Sequence, residues 1–81
     1  MLDAEDTLKQ LTQLLRDVLG NESVELSMET VRSDVVGWDS FNYITFMVVV
    51  ESHFGVKFRV SDIEEFPNVG AIVQKIIELK K

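Results

Sequence analysis

The 81-residue chain contains no cysteine. That removes disulfides, thiolate metal sites and any thiol chemistry supplied by the polypeptide itself. A single histidine leaves no material for a His-based metal cluster. Basic side chains are scarce: 8 Lys and Arg against 14 Asp and Glu give a net charge of −6. Such a chain repels nucleic acid phosphates and anionic membranes and is drawn towards basic protein surfaces. No apolar run approaches the ~20 residues of a membrane span. The opening Met1-Leu2-Asp3-Ala4-Glu5-Asp6 lacks the basic-then-apolar order of a signal peptide, so a cytoplasmic setting is expected. Repeats, low-complexity tracts and linkers are also missing. These absences predict one domain over residues 1–81 and favour a free-standing module over a piece excised from something longer, without excluding the latter.

What is present is apolar material, 46% of the residues, enough for a core without staples. Residues Ala4 to Leu19 read as a first helix, with Leu8, Leu11, Leu15 and Val18 at helical spacing and Leu14 and Leu19 widening the stripe. Gly20-Asn21 ends it. A loop of nearly twenty residues follows, long for a compact domain. Its Val24, Leu26, Met28, Val31, Val35 and Val36 read as pegs fastening it over the helices. A strand at Val24–Leu26 has no partner run at hairpin spacing, so no strand is expected. A second helix runs from Ser40 to about Phe54 and is closed by Gly55. Ser61 reads as the cap of a short third helix, Asp62 to about Phe66, with Glu64 completing a capping box and Pro67 ending it. Asn68 caps a fourth helix, Val69 to about Lys80, whose buried stripe is Val69, Ile72, Val73, Ile76 and Leu79. Gly70 inside it costs up to ~1 kcal/mol of helix propensity and permits a close contact. The expected fold is therefore all-α, a small four-helix bundle with a long first loop.

The chain is organised around Gly37-Trp38-Asp39-Ser40-Phe41. Gly37 relieves a sharp bend, Asp39 suits a helix N-cap, and Ser40 falls in the first turn, where free N–H groups and the dipole favour a phosphate. Its hydroxyl is a handle for a phosphodiester but a poor catalyst. His53 is thirteen residues along the same helix, roughly 20 Å at 1.5 Å per residue, whereas a general base must reach about 3 Å. The second helix also carries apolar side chains on two sides. Tyr43, Phe46, Met47, Val50 and Phe54 form a core face, while Phe41, Ile44 and Val48 gather on the side of Ser40 and Glu51. Either the helix is buried all round or the second stripe is a docking surface; docking is favoured, because a small domain covers few helices completely. Trp38 either lines whatever is attached at Ser40 or packs the loop against the bundle. Tyr43 reads as core.

Gly37-x-Asp39-Ser40-Phe41, an apolar helix, and Phe54-Gly55-Val56 starting fourteen residues after the serine together resemble the attachment motif of acyl carrier proteins. The likeness covers nearly the whole chain. It implies that Ser40 bears a 4′-phosphopantetheine arm, transferred from coenzyme A with magnesium by a separate phosphopantetheinyl transferase. The arm's thiol would hold acyl or aminoacyl groups as thioesters. The implied partners are that transferase, an acyl-loading ligase and acyl-transfer or synthase enzymes, met by a monomer that is not itself an enzyme. Asp39, Phe41, Ile44, Val48 and Glu51 are the expected partner-binding residues. In one respect the sequence departs from the family: fatty-acid carriers have several acids along this helix, and here only Asp39 and Glu51 remain. That tilts the expectation towards a specialised lipid, polyketide or nonribosomal peptide pathway, with a contact less sensitive to salt. The competing class is a helical adaptor that binds a partner through its second helix and whose serine is never modified.

Overall fold

A computed structural model describes residues 3–81. Its element order is α1 (Ala4–Leu19), a 3-10 turn (Arg32–Asp34), α2 (Ser40–Phe54), α3 (Val60–Glu65) and α4 (Val69–Leu79), with no strand among the described residues. No helix is long and apolar enough to cross a membrane among those residues.

Helix α1 begins where the Asp3 carboxylate accepts the Asp6 N–H at 2.8 Å, and it ends on Gly20 in the left-handed conformation, φ 64°. Leu11 and Leu15 are fully buried, and α1 packs against α2 and α4. Thr7 is buried with them, a polar residue that the apolar pattern missed. Its hydroxyl returns to the Asp3 carbonyl at 2.8 Å, which removes the cost of burying it. From α2 the core receives Phe46, Met47, Val50 and Phe54, and from α4 it receives Val69, Ile72, Val73 and Ile76.

The long first loop is fastened at both ends of its path. Val24 is buried, and its carbonyl accepts from the Arg16 guanidinium at 2.7 Å. Leu26, Met28 and Val35 pack on the core from above. Further on, Met28 and Thr30 offer their carbonyls to the first N–H groups of α4: Gly70 at 2.8 Å and Val69 at 2.9 Å. The close contact expected at Gly70 is this one. A Cβ there would stand 2.7 Å from the Met28 carbonyl oxygen.

Three expectations need correction. Val36 is not a peg; it is 90% exposed, because neighbours in a non-helical stretch point opposite ways and Val35 takes the inward place. Leu79 is 40% exposed, since the final residue of α4 has run past the bundle. Finally, α3 starts at Val60 rather than Asp62, and Ser61 is not its cap. The Asp62 carboxylate reaches back to the Arg59 N–H at 3.1 Å, so Asp62, not Glu64, is the acid in the third helical position. Phe66 falls outside α3, as the residue before Pro67 is pushed out of the helical region. It stacks edge-on against Phe58, with ring centroids 5.5 Å apart.

Candidate functional site

The turn before α2 is held by backbone and cap together. Gly37 has φ 86°, a conformation that costs other residues strain, and its carbonyl accepts the Asn42 side-chain amide at 2.8 Å. Asp39 caps α2 through the Asn42 N–H at 2.9 Å, and its carbonyl takes the Tyr43 N–H at 2.8 Å. Trp38 anchors the turn from below. It is 4% exposed and lies edge-on to Phe46 at 5.4 Å and tilted against Tyr43 at 5.9 Å. Its packing role is thus settled, although its Nε1 has no partner among the described residues.

Ser40 emerges from this clamp exposed, its hydroxyl engaged with no described protein group. The N–H groups of Ser40 and Phe41 likewise donate to no described acceptor, whereas the same two positions of α4 are filled by loop carbonyls. Two helices of one chain therefore end differently. At α4 the N-terminus is closed by protein; at α2 two donors and the positive end of the dipole are left for something else.

On the flank of α2 stand Phe41, 78% exposed, with Ile44 and Val48 also exposed. The second apolar stripe is therefore not buried. Val36, just before the turn, adds another exposed apolar side chain, one expected to fasten the loop over the helices. Glu51 stands elsewhere in the hydrogen-bond scheme: half-buried, its carboxylate accepts the Phe58 N–H at 2.8 Å and fixes the connector after α2. Asp39 is equally committed to its cap. His53 pairs with Gln10 at 2.8 Å, tying α2 to α1 rather than approaching Ser40.

Beside the turn that precedes α2 lies a cleft of about 370 Å³ between the loop, α2, α3 and α4. Trp38, Tyr43, Ile63, Phe66 and Ile72 line its apolar part, and Thr30, Arg32, Ser33, Glu64 and Asn68 its polar part. The Tyr43 hydroxyl crosses to donate to the Ile63 carbonyl of α3, and the Arg32 guanidinium lies over the Tyr43 ring, 5.2 Å from its centroid. Burial pushes the Tyr43 hydroxyl pKa above its ordinary value, with nearby Arg32 acting in the opposite direction.

The site is thus an exposed serine at the open N-terminal end of a helix in a small helical bundle. The phosphopantetheine attachment site family matches residues 9–76. The chain is 29% identical over 76 residues to an acyl carrier protein of Thermotoga maritima, covering 94% of each chain. It also superposes on the solution structure of holo acyl carrier protein from Geobacter metallireducens with a TM-score of 0.84, at 30% identity, covering 91% of this chain and 85% of that one.

The chain belongs to the phosphopantetheine-attachment family, as an acyl carrier protein. It is a carrier and not an enzyme, and its prosthetic group is covalent 4′-phosphopantetheine. The residues present suit that group. A free hydroxyl can form the ester, and the open N–H groups of Ser40 and Phe41 can meet a phosphate oxygen.

Proposed function

We propose that Ser40 is the attachment residue and that the chain, acting as one unit over residues 1–81, presents acyl or aminoacyl thioesters to partner enzymes in the cytoplasm. The observation that carries this reading is the unfilled N-terminus of α2 with an exposed hydroxyl on it. The arm supplies the thiol that a cysteine-free chain lacks. The polypeptide's own work is to hold the phosphate at a helix end, keep the turn rigid through Asp39, Asn42 and Trp38, and offer Phe41, Ile44 and Val48 to whichever enzyme comes. A phosphopantetheinyl transferase, an acyl-loading ligase and acyl-transfer or synthase enzymes are the partners. The pathway is a specialised lipid, polyketide or nonribosomal peptide one, supported by the scarcity of acids on α2.

Intact-mass measurement after co-expression with a broad-specificity phosphopantetheinyl transferase tests the assignment. The wild type gains one phosphopantetheine, and Ser40→Ala gains none. An unmodified wild type, or a modified alanine variant, rejects Ser40.

A further inference from the structure

Among the described residues, the two most exposed large apolar side chains bracket one position. Val36, 90% exposed, stands four residues before Ser40, and Phe41, 78% exposed, directly follows it. Phe41 belongs to the α2 stripe, but Val36 does not. It sits at the corner of a tight turn, closed by the Trp38 N–H on the Val35 carbonyl at 3.2 Å. Gly37 has φ 86° there, the sign that the third position of a type II turn requires. Such corners ordinarily carry proline, glycine or a short polar residue. An aliphatic side chain contributes nothing to the core from this place, since almost none of its surface is removed from water. Both arms of the turn are nevertheless fixed: Val35 packs against the core and Trp38 is buried. Val36 is thus held out on a rigid corner, and little ordering is needed when something covers it.

The position of this corner narrows what that something is. Four residues of chain span at most about 14 Å, so Val36 lies within that distance of Ser40. A protein partner of standard size covers about 800 Å² of each surface, a disc of roughly 16 Å radius. An enzyme that bonds the Ser40 oxygen must bring its reacting group to that atom. Its contact is centred there and takes in Val36 and Phe41 together. An enzyme that works on the thiol of the arm acts a full arm's length from Ser40, and nothing obliges its contact to include Val36. The acids nearest in sequence are committed to backbone, Asp34 to the Val31 N–H at 3.0 Å and Asp39 to its cap. Apolar contact, not ion pairing, is therefore what this stretch offers.

We propose that Val36 and Phe41 are a two-point apolar grip for the phosphopantetheinyl transferase, which covers one on each side of the serine. The inference rests on Ser40 being the attachment residue. In the step they serve, the Ser40 oxygen gives up its proton and bonds the phosphorus that carries pantetheine in coenzyme A. The phosphoanhydride bond breaks and adenosine bisphosphate leaves. Val36 takes no part in that chemistry; it is a binding contact, and enzymes that act on the loaded arm do not use it.

The test compares wild type, Val36→Ala and Val36→Asp as substrates of a broad-specificity transferase with coenzyme A, followed by intact mass. KM for the carrier should rise about fivefold for alanine and about tenfold or more for aspartate, at unchanged kcat. The uncharged alanine variant separates lost contact from added charge. An unchanged KM for both variants overturns the grip. So does a fall in kcat at constant KM, which would mean a distorted turn. Loss of cooperative unfolding in Val36→Asp overturns it as well, by placing the side chain in the core. For the second half of the proposal, S-butanoyl forms of wild type and Val36→Asp are made with butanoyl-coenzyme A and hydrolysed by a stand-alone thioesterase. Equal KM values are expected; a tenfold rise there too would make Val36 a contact for every partner and overturn its restriction to the transferase. A wild type that gains no mass, or a Ser40→Ala variant that does, defeats the Ser40 assignment instead.

Discussion

Tyr43 shows at the scale of a single side chain how α2 and α3 are joined. Its hydroxyl donates to the Ile63 carbonyl, one of the carbonyls that a short helix leaves unsatisfied at its C-terminal end. Only the neutral phenol can donate. Because burial raises the folded-state pKa above the ordinary tyrosine value of about 10, the stabilisation is fully present below about pH 10 and is lost as pH climbs through the folded value. Tyr43→Phe should therefore cost about 0.5–1.5 kcal/mol at neutral pH, the net worth of one hydrogen bond. It should also flatten the alkaline loss of stability, read by urea unfolding from pH 7 to above 10. Equal alkaline slopes for the two proteins would mean that the bond contributes nothing. The sequence placed Tyr43 on the core face of α2 but could not show this bond, which depends on where α3 comes to rest twenty residues later.

The elements differ in how plainly the sequence declares them. Helices α1 and α2 have the bounds that their capping residues and periodic apolar positions predict, because Asp3, Gly20, Asp39 and Gly55 act locally. Helix α3 was displaced by two residues because it has too few turns for a periodic signal, and Asp62 and Glu64 are both plausible capping acids until the Arg59 N–H is located. The exposure of Ser40 at the start of α2 and of the Phe41, Ile44 and Val48 stripe was legible from local pattern. The burial of Thr7, the exposure of Val36 and the cleft were not, since each is set by chain segments meeting across the fold. Gly70 is the clearest such meeting. Alanine there would gain up to ~1 kcal/mol of helix propensity, yet its Cβ would stand 2.7 Å from backbone oxygen of Met28, an atom with no flexible side chain to swing away. Overpacking of this kind costs typically 1–3 kcal/mol. Gly70→Ala should consequently be destabilised on balance, by up to about 2 kcal/mol, with a lowered Tm and faster amide exchange at Val69. A variant as stable as wild type would show that the loop does not hold α4 this closely.

For the molecule as a whole, charge and apolar surface are distributed so that they should act on different steps of partner binding. The net charge of −6 comes largely from outside α2: Asp3, Glu5 and Asp6 open α1, and Glu64 and Glu65 end α3, while on α2 itself Glu51 is taken up by the Phe58 N–H. Diffuse charge of this sort draws a basic partner surface from a distance and raises the association rate. The exposed side chains beside Ser40 are instead Phe41, Ile44 and Val48, whose burial at the proposed contact would be indifferent to salt and would govern how long the complex lasts. Raising salt should thus slow association while leaving the dissociation rate nearly constant, so that affinity falls by less than about fivefold, the worth of one or two exposed ion pairs. Ile44→Asp and Val48→Glu should do the reverse, speeding dissociation tenfold or more at unchanged stability, since losing one buried aliphatic contact amounts to about 1.5–3 kcal/mol. Surface plasmon resonance against a cognate enzyme, with unfolding curves for each variant, separates the two terms. A dissociation rate that rises steeply with salt would place acids rather than the apolar stripe at the contact, and loss of cooperative unfolding in Ile44→Asp would place that side chain in the core.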